Sequence, residues 1–367
     1  MKSSAKITIK TTQGEIEIAR DYYYCRRCKN SEIPLDARLG INESSYKMTK
    51  GMLLEVAYWG QNQPSFEAAK EIIQKVHGMY VNGETIRQIT EELGRLVHEA
   101  DAQRAALCLE HMDKIDLIDD AKRQSGVLYI MTDGAAVNTR AQDENGSTWR
   151  ENKLVLAFTD KDMIRRIDGG YIIVKKQYSA LIGSAEQFKG FVLDTALKAG
   201  YGKIKEVVVI ADGATWIRNM CNEIFPDATQ ILDLYHLKEN IFTYAKDKFR
   251  HDEKQYTPYA KRLITLIEKG HVDEALDEIK NDTHSSSVNL KTYIENNKTK
   301  INYPLYKSKN YFVGSGAIES GNKIILHRRL KQPGMRWSIK GAQAILTLRC
   351  KAEGGLWQSE VVDRLCA

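Results

Sequence analysis

Four β-branched residues in a row, Val207-Val208-Val209-Ile210, leave a strand with no polar face, so it has to be covered on both sides inside a sheet. The run continues into Ala211-Asp212-Gly213-Ala214, which sets a carboxylate at the carboxyl end of that strand. Open α/β sheets present their chemistry at this end. Asp-Gly is also ordinary turn chemistry, so one such strand decides nothing. The form recurs, however, in Leu128-Tyr129-Ile130-Met131-Thr132-Asp133-Gly134-Ala135. Two parallel strands that end in acid suggest a metal site whose third ligand comes from elsewhere in the chain.

Taken in order, the residues from Ala5 to Ala19 alternate about Thr11-Thr12-Gln13-Gly14 and predict a β-hairpin. It leads through Tyr22-Tyr23-Tyr24 into Cys25-Arg26-Arg27-Cys28, a knuckle that supplies half of the four ligands zinc requires. A bound Zn²⁺ at Cys25 and Cys28 therefore needs a partner half, and no second pair lies nearby. From Pro34 to about Lys122 the pattern is helical. A capped helix from Ser65 and a second short helix from Gly83, about a turn at 78–83, have the form of a helix-turn-helix. Arg87 and Gln88 would then be its DNA contacts; a plain helical bundle accounts for the same pattern, and Glu84, Glu91 and Glu92 favour it.

Strand-like periodicity begins at Ser125. Expected strands are the run ending at Asp133, then Lys153–Phe158, Tyr171–Val174, Val207–Ile210 and Thr229–Leu232, with helices at 184–199 and 215–224. Three antiparallel-looking strands, a helix, a parallel strand, a helix and a last strand is the order of the ribonuclease H-like fold, in which the first and fourth strands lie side by side. The predicted fold class is thus α/β: a ribonuclease H-like mixed sheet with a helical insertion, preceded by a helical region and a small hairpin with a zinc-knuckle-like start. The corresponding segments are 1–40 (hairpin and knuckle), 41–124 (helical, DNA-binding if helix-turn-helix), 125–236 (first part of the core), 237–310 (charged helical insertion) and 311–367 (remaining core helices).

Size and charge agree. A chain of 367 residues with 43% hydrophobic and 28% charged residues has the composition of a globular protein. No apolar run approaches the ~20 residues of a membrane span, and Met1 to Lys10 lacks the apolar core of a secretory signal, so a cytoplasmic, nucleoid-associated protein without a membrane partner is expected. The net charge of +6 is mild, but between Ser315 and Lys351 eight bases face one acid, Glu319. Such a segment suits a polyanion. Glu319 lies in the first turn of a helix that begins in Gly314-Ser315-Gly316 and is expected to run through Leu330, with Lys323 four residues on. An ordinary helical ion pair has the same spacing.

Thr132-Asp133-Gly134, Trp149-Arg150-Glu151-Asn152-Lys153, Ala211-Asp212-Gly213-Ala214, Asp233-Leu234-Tyr235-His236, Ile318-Glu319-Ser320 and the closing Arg329–Ser338 stretch occur in an order that resembles bacterial insertion-sequence DDE transposases, in the group related to the Mutator superfamily. The resemblance spans roughly Tyr22 to Leu356. It implies a catalytic triad of Asp133, Asp212 and Glu319, with Asp233 and His236 as an accessory Asp-x-x-His element. It further implies Mg²⁺ (or Mn²⁺) as cofactor, Asp133 bridging two ions and Asp212 and Glu319 completing one each. The implied partners are double-stranded DNA, both transposon ends and target, and a homo-oligomer on that DNA. Lys323, Arg328, Arg329, Lys331 and Arg336 become candidate DNA contacts. Trp337 either stacks on an unpaired base or belongs to the core. Proteins of this type usually carry sequence ahead of the knuckle, so a shortened amino terminus is expected. The other readings are a truncated or co-opted DNA-binding relative without transposition activity, and a metal-dependent nuclease or phosphatase of another α/β fold.

Overall fold

The computed structural model describes residues 2–39, 41, 46–114, 123–167, 170–282 and 284–366. The end of the expected first helical region, 115–122, falls outside them. Along the chain come β1 (Lys2–Thr11), β2 (Gly14–Tyr24), β3 (Ser31–Glu32), α1 (Pro34–Leu39), α2 (Lys50–Asn62), α3 (Phe66–His77) and α4 (Gly83–Glu110). Next are β4 (Gln124–Asn138), β5 (Trp149–Thr159), β6 (Met163–Arg165), β7 (Tyr171–Ile173), β8 (Gln177–Ile182), α5 (Ala185–Ala199), β9 (Ile204–Ala211), α6 (Thr215–Ile224) and β10 (Thr229–Leu232). Then follow α7 (Leu234–Lys248), α8 (Glu253–Glu268), α9 (Val272–Ile279), α10 (Ser285–Asn296), α11 (Tyr303–Ser308), α12 (Gly316–Asn322), α13 (Arg328–Leu330), α14 (Ile339–Glu353) and α15 (Asp363–Cys366). The chain forms two units, one of Ala102–Ala136 and Glu151–Lys323, the other of Met1–Asp101, Val137–Arg150 and Ile324–Ala367.

The first unit is built on a five-stranded sheet in the order β10-β9-β4-β5-β8. β9 runs parallel to both β10 and β4, whereas β5 and β8 are antiparallel. Period-two alternation divides the strands between two faces. Leu128, Ile130, Val155, Ala157 and Val209 pack with Phe188 and Val192 of α5 and Ile217 and Cys221 of α6 in one core. Tyr129, Phe158 and Phe312 form an aromatic cluster, with ring centroids 5.1–6.3 Å apart. Val208 and Ile210 are fully buried, which is what an all-apolar run requires.

One strand assignment changes. Among the described residues Tyr171–Ile173 pairs with Met163–Arg165 in a separate two-stranded ribbon, and Tyr171 and Ile172 are about half exposed. The sheet takes Gln177–Ile182 instead. Its Gln177 and Ser179 are buried, and the Ser179 hydroxyl donates at 2.9 Å to Thr195 Oγ1, whose own proton goes to the Phe191 carbonyl. A hydrogen-bonded polar residue in a covered strand is invisible to an apolar count. The charged segment after β10 is helical, α7 to α11, and three of its side chains reach back to the sheet: Tyr293 to the carbonyl of Asp212, Tyr303 to that of Leu232 and Tyr306 to that of Gln230.

In the second unit, β1 and β2 form the expected hairpin, in register from Lys2↔Tyr23 to Thr11↔Gly14. Thr49 and Ser65 cap α2 and α3. Met52, Val56, Ile73, Ile86 and Ile89 join these helices to α4 in one core. α4 is not the short second helix of a helix-turn-helix. It runs for 28 residues, about 42 Å at 1.5 Å per residue, because Ile86, Ile89, Leu93 and Val97 keep the helical period and no proline interrupts it. Gly94 within it is needed for contact: a Cβ there would lie 2.4 Å from the Ala344 carbonyl of α14.

α14 is buried at every position from Gly341 to Lys351. Arg349 within it donates to the carbonyls of Ile324, Ile325 and Gln61. Ile324 and Ile325 belong to the π-helical turn Lys323–His327, which joins α12 to α13. Arg329 is 1% exposed, donates to the Gly60 and Pro64 carbonyls, and lies against the rings of Phe66 and Trp337. Lys351 is buried in an ion pair with Asp101 at 2.6 Å. The segment from Ser315 to Lys351 is therefore not a uniform cationic face. Among the described residues no helix is long and apolar enough to cross a membrane.

Candidate active site at the ends of β4 and β9

Asp133 and Asp212 arrive on hydrogen-bonded parallel neighbours. The register ends at Met131↔Ile210, and two further residues along each strand lead to Asp133 and Asp212. Asp133 accepts from its neighbour Gly134 N–H at 2.8 Å and from Asn322 Nδ2 at 2.6 Å. Burial, and the nearby charge of Asp212, push its carboxyl above the ordinary range against those hydrogen bonds.

Asp212 folds back on itself, accepting from Ala214 N–H at 2.9 Å. That turn depends on Gly213, at φ +86°, where a Cβ would also come within 2.8 Å of Leu232 and 2.9 Å of Asn297. The Tyr293 hydroxyl donates to the Asp212 carbonyl at 2.7 Å. The helical insertion therefore buttresses the strand end, a role its sequence does not announce.

Asp233 is fully buried and caps α7. Its two oxygens accept from Tyr235 N–H, His236 N–H, Ser315 N–H (2.9 Å) and Ser315 Oγ (2.6 Å), and they meet His236 Nδ1 at 2.5 Å. Burial alone would raise this carboxyl, but those bonds, led by that from His236, hold it below the usual range. The same pairing outweighs burial of the imidazole. With help from the charges of Asp212 and Asp133, it lifts His236 to about 9, so the ring is cationic at neutral pH.

Glu319 sits in the first turn of α12 and is half-buried. The Ser315 hydroxyl gives its single proton to the nearer Asp233 and also lies 3.2 Å from Glu319 Oε1. Asn322, one turn beyond Glu319, makes the bond to Asp133. α12 is thus fixed at both ends, to Asp233 through Ser315 and to Asp133 through Asn322. Ser315 and Asn322 were not singled out in the sequence, although the three-residue step from Glu319 to Asn322 puts both on one helical face. Among the described residues, no three His, Cys, Asp or Glu side chains stand as a ready-made metal-binding group.

The other candidates are more dispersed. Lys323, Arg328, Lys331 and Arg336 are exposed. Arg329 and Trp337 are not available to DNA. Their stacking with Phe66 and their bonds to backbone carbonyls make them core, and Trp337 Nε1 itself donates to Leu330 O. Arg87 is engaged by Glu84 and Glu91, and Gln88 by Glu84, which neutralises the expected groove-reading pair. Cys25 and Cys28 are both exposed. Hydrogen bonds from the Cys28 backbone and thiol favour the Cys25 thiolate, yet the described residues offer the pair no third or fourth zinc ligand.

The fold and these side chains define a mixed α/β protein with an acidic site at the ends of parallel strands. Residues 1–364 match the uncharacterised protein family UPF0236, and the chain belongs to that family. No curated protein matches the sequence. Among solved structures the chain is similar to the Drosophila P element transposase strand transfer complex, at 10% identity and a TM-score of 0.26, over 83% of this chain and 79% of that one.

Proposed function

We propose that this chain is a DDE-type DNA transposase with a ribonuclease H-like core, cleaving transposon ends and joining them to target DNA. The observation that carries the reading is the bond from Asn322 to Asp133, which ties the helix bearing Glu319 to the strand end beside Asp212. Strand order supports it as well: in chain order within the sheet, the first and fourth strands are neighbours and carry the two Asp residues.

The donor chemistry fits Mg²⁺. Asp133, Asp212 and Glu319 offer only oxygen, which hard divalent cations prefer, and the Asp133 carboxyl, raised by burial and to a lesser degree by Asp212, is one whose charged form a cation would favour. Held by these three residues, Mg²⁺ would activate the attacking oxygen and stabilise the leaving one. The remaining side chains orient and balance charge. Asn322 fixes the Asp133 carboxylate. Asp233, through Ser315, fixes the start of α12. Cationic His236 provides the positive charge that a scissile phosphate meets. Joining two ends calls for at least a dimer on DNA.

The test is an Mg²⁺-dependent cleavage and joining assay on duplexes taken from the DNA flanking the gene. Cleaved ends and joined products are expected from the wild type. Asp212→Asn and Glu319→Gln should bind DNA without cutting it. DNA binding without cleavage or joining by the wild type, even with pre-cleaved ends and Mn²⁺, contradicts the reading.

A further inference from the structure

The sheet face turned away from α5 and α6 is not filled throughout. A cavity of about 730 Å³ opens there, a size typical of ligand sites. Its floor is made by Met131, Leu156, Phe158 and Tyr178, alternate residues of β4, β5 and β8, and Phe312 closes one side. Three further tyrosines stand in the lining, buried Tyr311 and the exposed Tyr171 (49%) and Tyr235 (58%). Tyr171 packs edge-on against Phe312, with ring centroids 5.4 Å apart, and stays half exposed beside the cavity.

Position narrows the occupant. Tyr235 directly precedes His236, and Ser320, also in the lining, directly follows Glu319. The cavity therefore borders the acidic site on both α7 and α12. It also carries charge: Lys176 Nζ lies 5.7 Å from the centre of the Tyr178 ring, and no carboxylate is within ion-pair distance of it among the described residues. Lys238, the other lysine in the lining, is neutralised by Glu268 at 2.6 Å. Flat aromatic surfaces plus a lysine without a carboxylate partner among the described residues match a base and the phosphate attached to it. A purely apolar segment of protein leaves Lys176 unused.

We propose that this cavity takes up one unstacked nucleobase of the DNA strand whose phosphate reaches Asp133, with Lys176 on the adjoining phosphate. The proposal rests on the strand-transfer reading. It adds a base-holding subsite that positions the strand by shape and stacking and tolerates different bases, because every base has a π-face.

Binding of a short single-stranded oligonucleotide to the full chain, in EDTA so that nothing is cut, tests it by fluorescence anisotropy. The probes are an intact oligonucleotide and the same strand with abasic sites throughout. The intact strand is expected to bind roughly tenfold more tightly, the effect of one base–aromatic stack. Tyr171→Ala should shrink that preference, whereas Lys176→Ala should weaken both probes alike and lower the salt dependence, as loss of one phosphate contact does. Equal binding of the two probes by the wild type overturns the subsite, and cleavage in the duplex assay would then leave the strand-transfer reading standing. Binding of neither probe overturns the subsite, and lack of duplex cleavage as well overturns both. A preference for the intact strand that Tyr171→Ala and Tyr235→Ala leave unchanged places the base elsewhere and also overturns it.

Discussion

The two units handle buried charge in opposite ways. In the unit containing α14, Arg349 spends its guanidinium on the carbonyls of Gln61, Ile324 and Ile325, while Arg329 lies between two aromatic rings with two further carbonyls. Burial, and the neighbouring Arg349, bring Arg329 down to about 10, still charged at neutral pH. These cations close the last turn of α2 and the π-helical turn after α12, where backbone carbonyls would otherwise lack donors. In the other unit, Asp233 is saturated in the same way, but Asp133 is not: its carboxyl is raised by burial and by Asp212. Charge held by carbonyls and rings, even with Arg329 Nη2 left without a hydrogen bond, holds a fold together. Charge left in tension beside a second carboxylate is where the proposed cation and phosphate would act.

The largest effect that could break this contrast is catalytic. Asp212→Asn or Glu319→Gln should lower the rate of Mg²⁺-dependent strand cleavage by roughly 10³-fold or more, since ligands and metal act as a unit. Retention of DNA binding in a gel-shift assay keeps the loss assigned to chemistry. In the other unit, Arg349→Met should cost about 3 kcal/mol or more in urea unfolding, because three carbonyls lose their donor. Exposed Arg328→Met should stay within about 0.5 kcal/mol. Equal costs at 349 and 328 would contradict the structural role of the buried arginine.

Smaller effects separate support from chemistry. Ser315→Ala and Asn322→Ala each loosen α12 against an acid, and cleavage should fall about 10- to 100-fold, as when a residue that orients a metal ligand is removed. His236 gains its proton on folding, with a value of about 9 against an ordinary 6.5. Its contribution to stability is complete below about 6.5 and disappears as pH rises through about 9. At this partly exposed ring the loss should be of order 1 kcal/mol, seen as a fall in Tm between those pH values that His236→Gln lacks. The smallest effect belongs to Arg87→Ala. Its partners Glu84 and Glu91 are partly exposed, so stability should shift by less than about 1 kcal/mol and DNA affinity should not change.

What could be read from the chain followed from local pattern. The β-branched run at 207–210 and the repeat at 128–133 specify covered strands by composition alone, and their neighbouring positions follow from the order of elements. Gln177–Ile182 escaped because its buried polar residues break the apolar pattern: Ser179 is satisfied by Thr195, which folds beside it, whereas Gln177 Oε1 has no hydrogen-bond partner among the described residues. Charge misled in the region after Glu319: a guanidinium reads as surface until backbone carbonyls 265 to 288 positions away, and the distant ring of Phe66, are brought to it. The roles of Ser315 and Asn322 have the same origin, since their partners lie 82 and 189 residues away. Helix α4 runs past the short second helix that the helix-turn-helix pattern predicts, because its period continues unbroken and Gly94 serves close packing with α14.

The central claim is that Asp133, Asp212 and Glu319 act as one cation-binding set. Mn²⁺ binding followed by electron paramagnetic resonance, on the wild type and on Asp133→Asn, Asp212→Asn and Glu319→Gln, tests it most directly. Saturable binding by the wild type that each single substitution weakens at least tenfold is the expected result. Binding that survives all three substitutions, or a wild type that takes up no Mn²⁺ with DNA present, contradicts it.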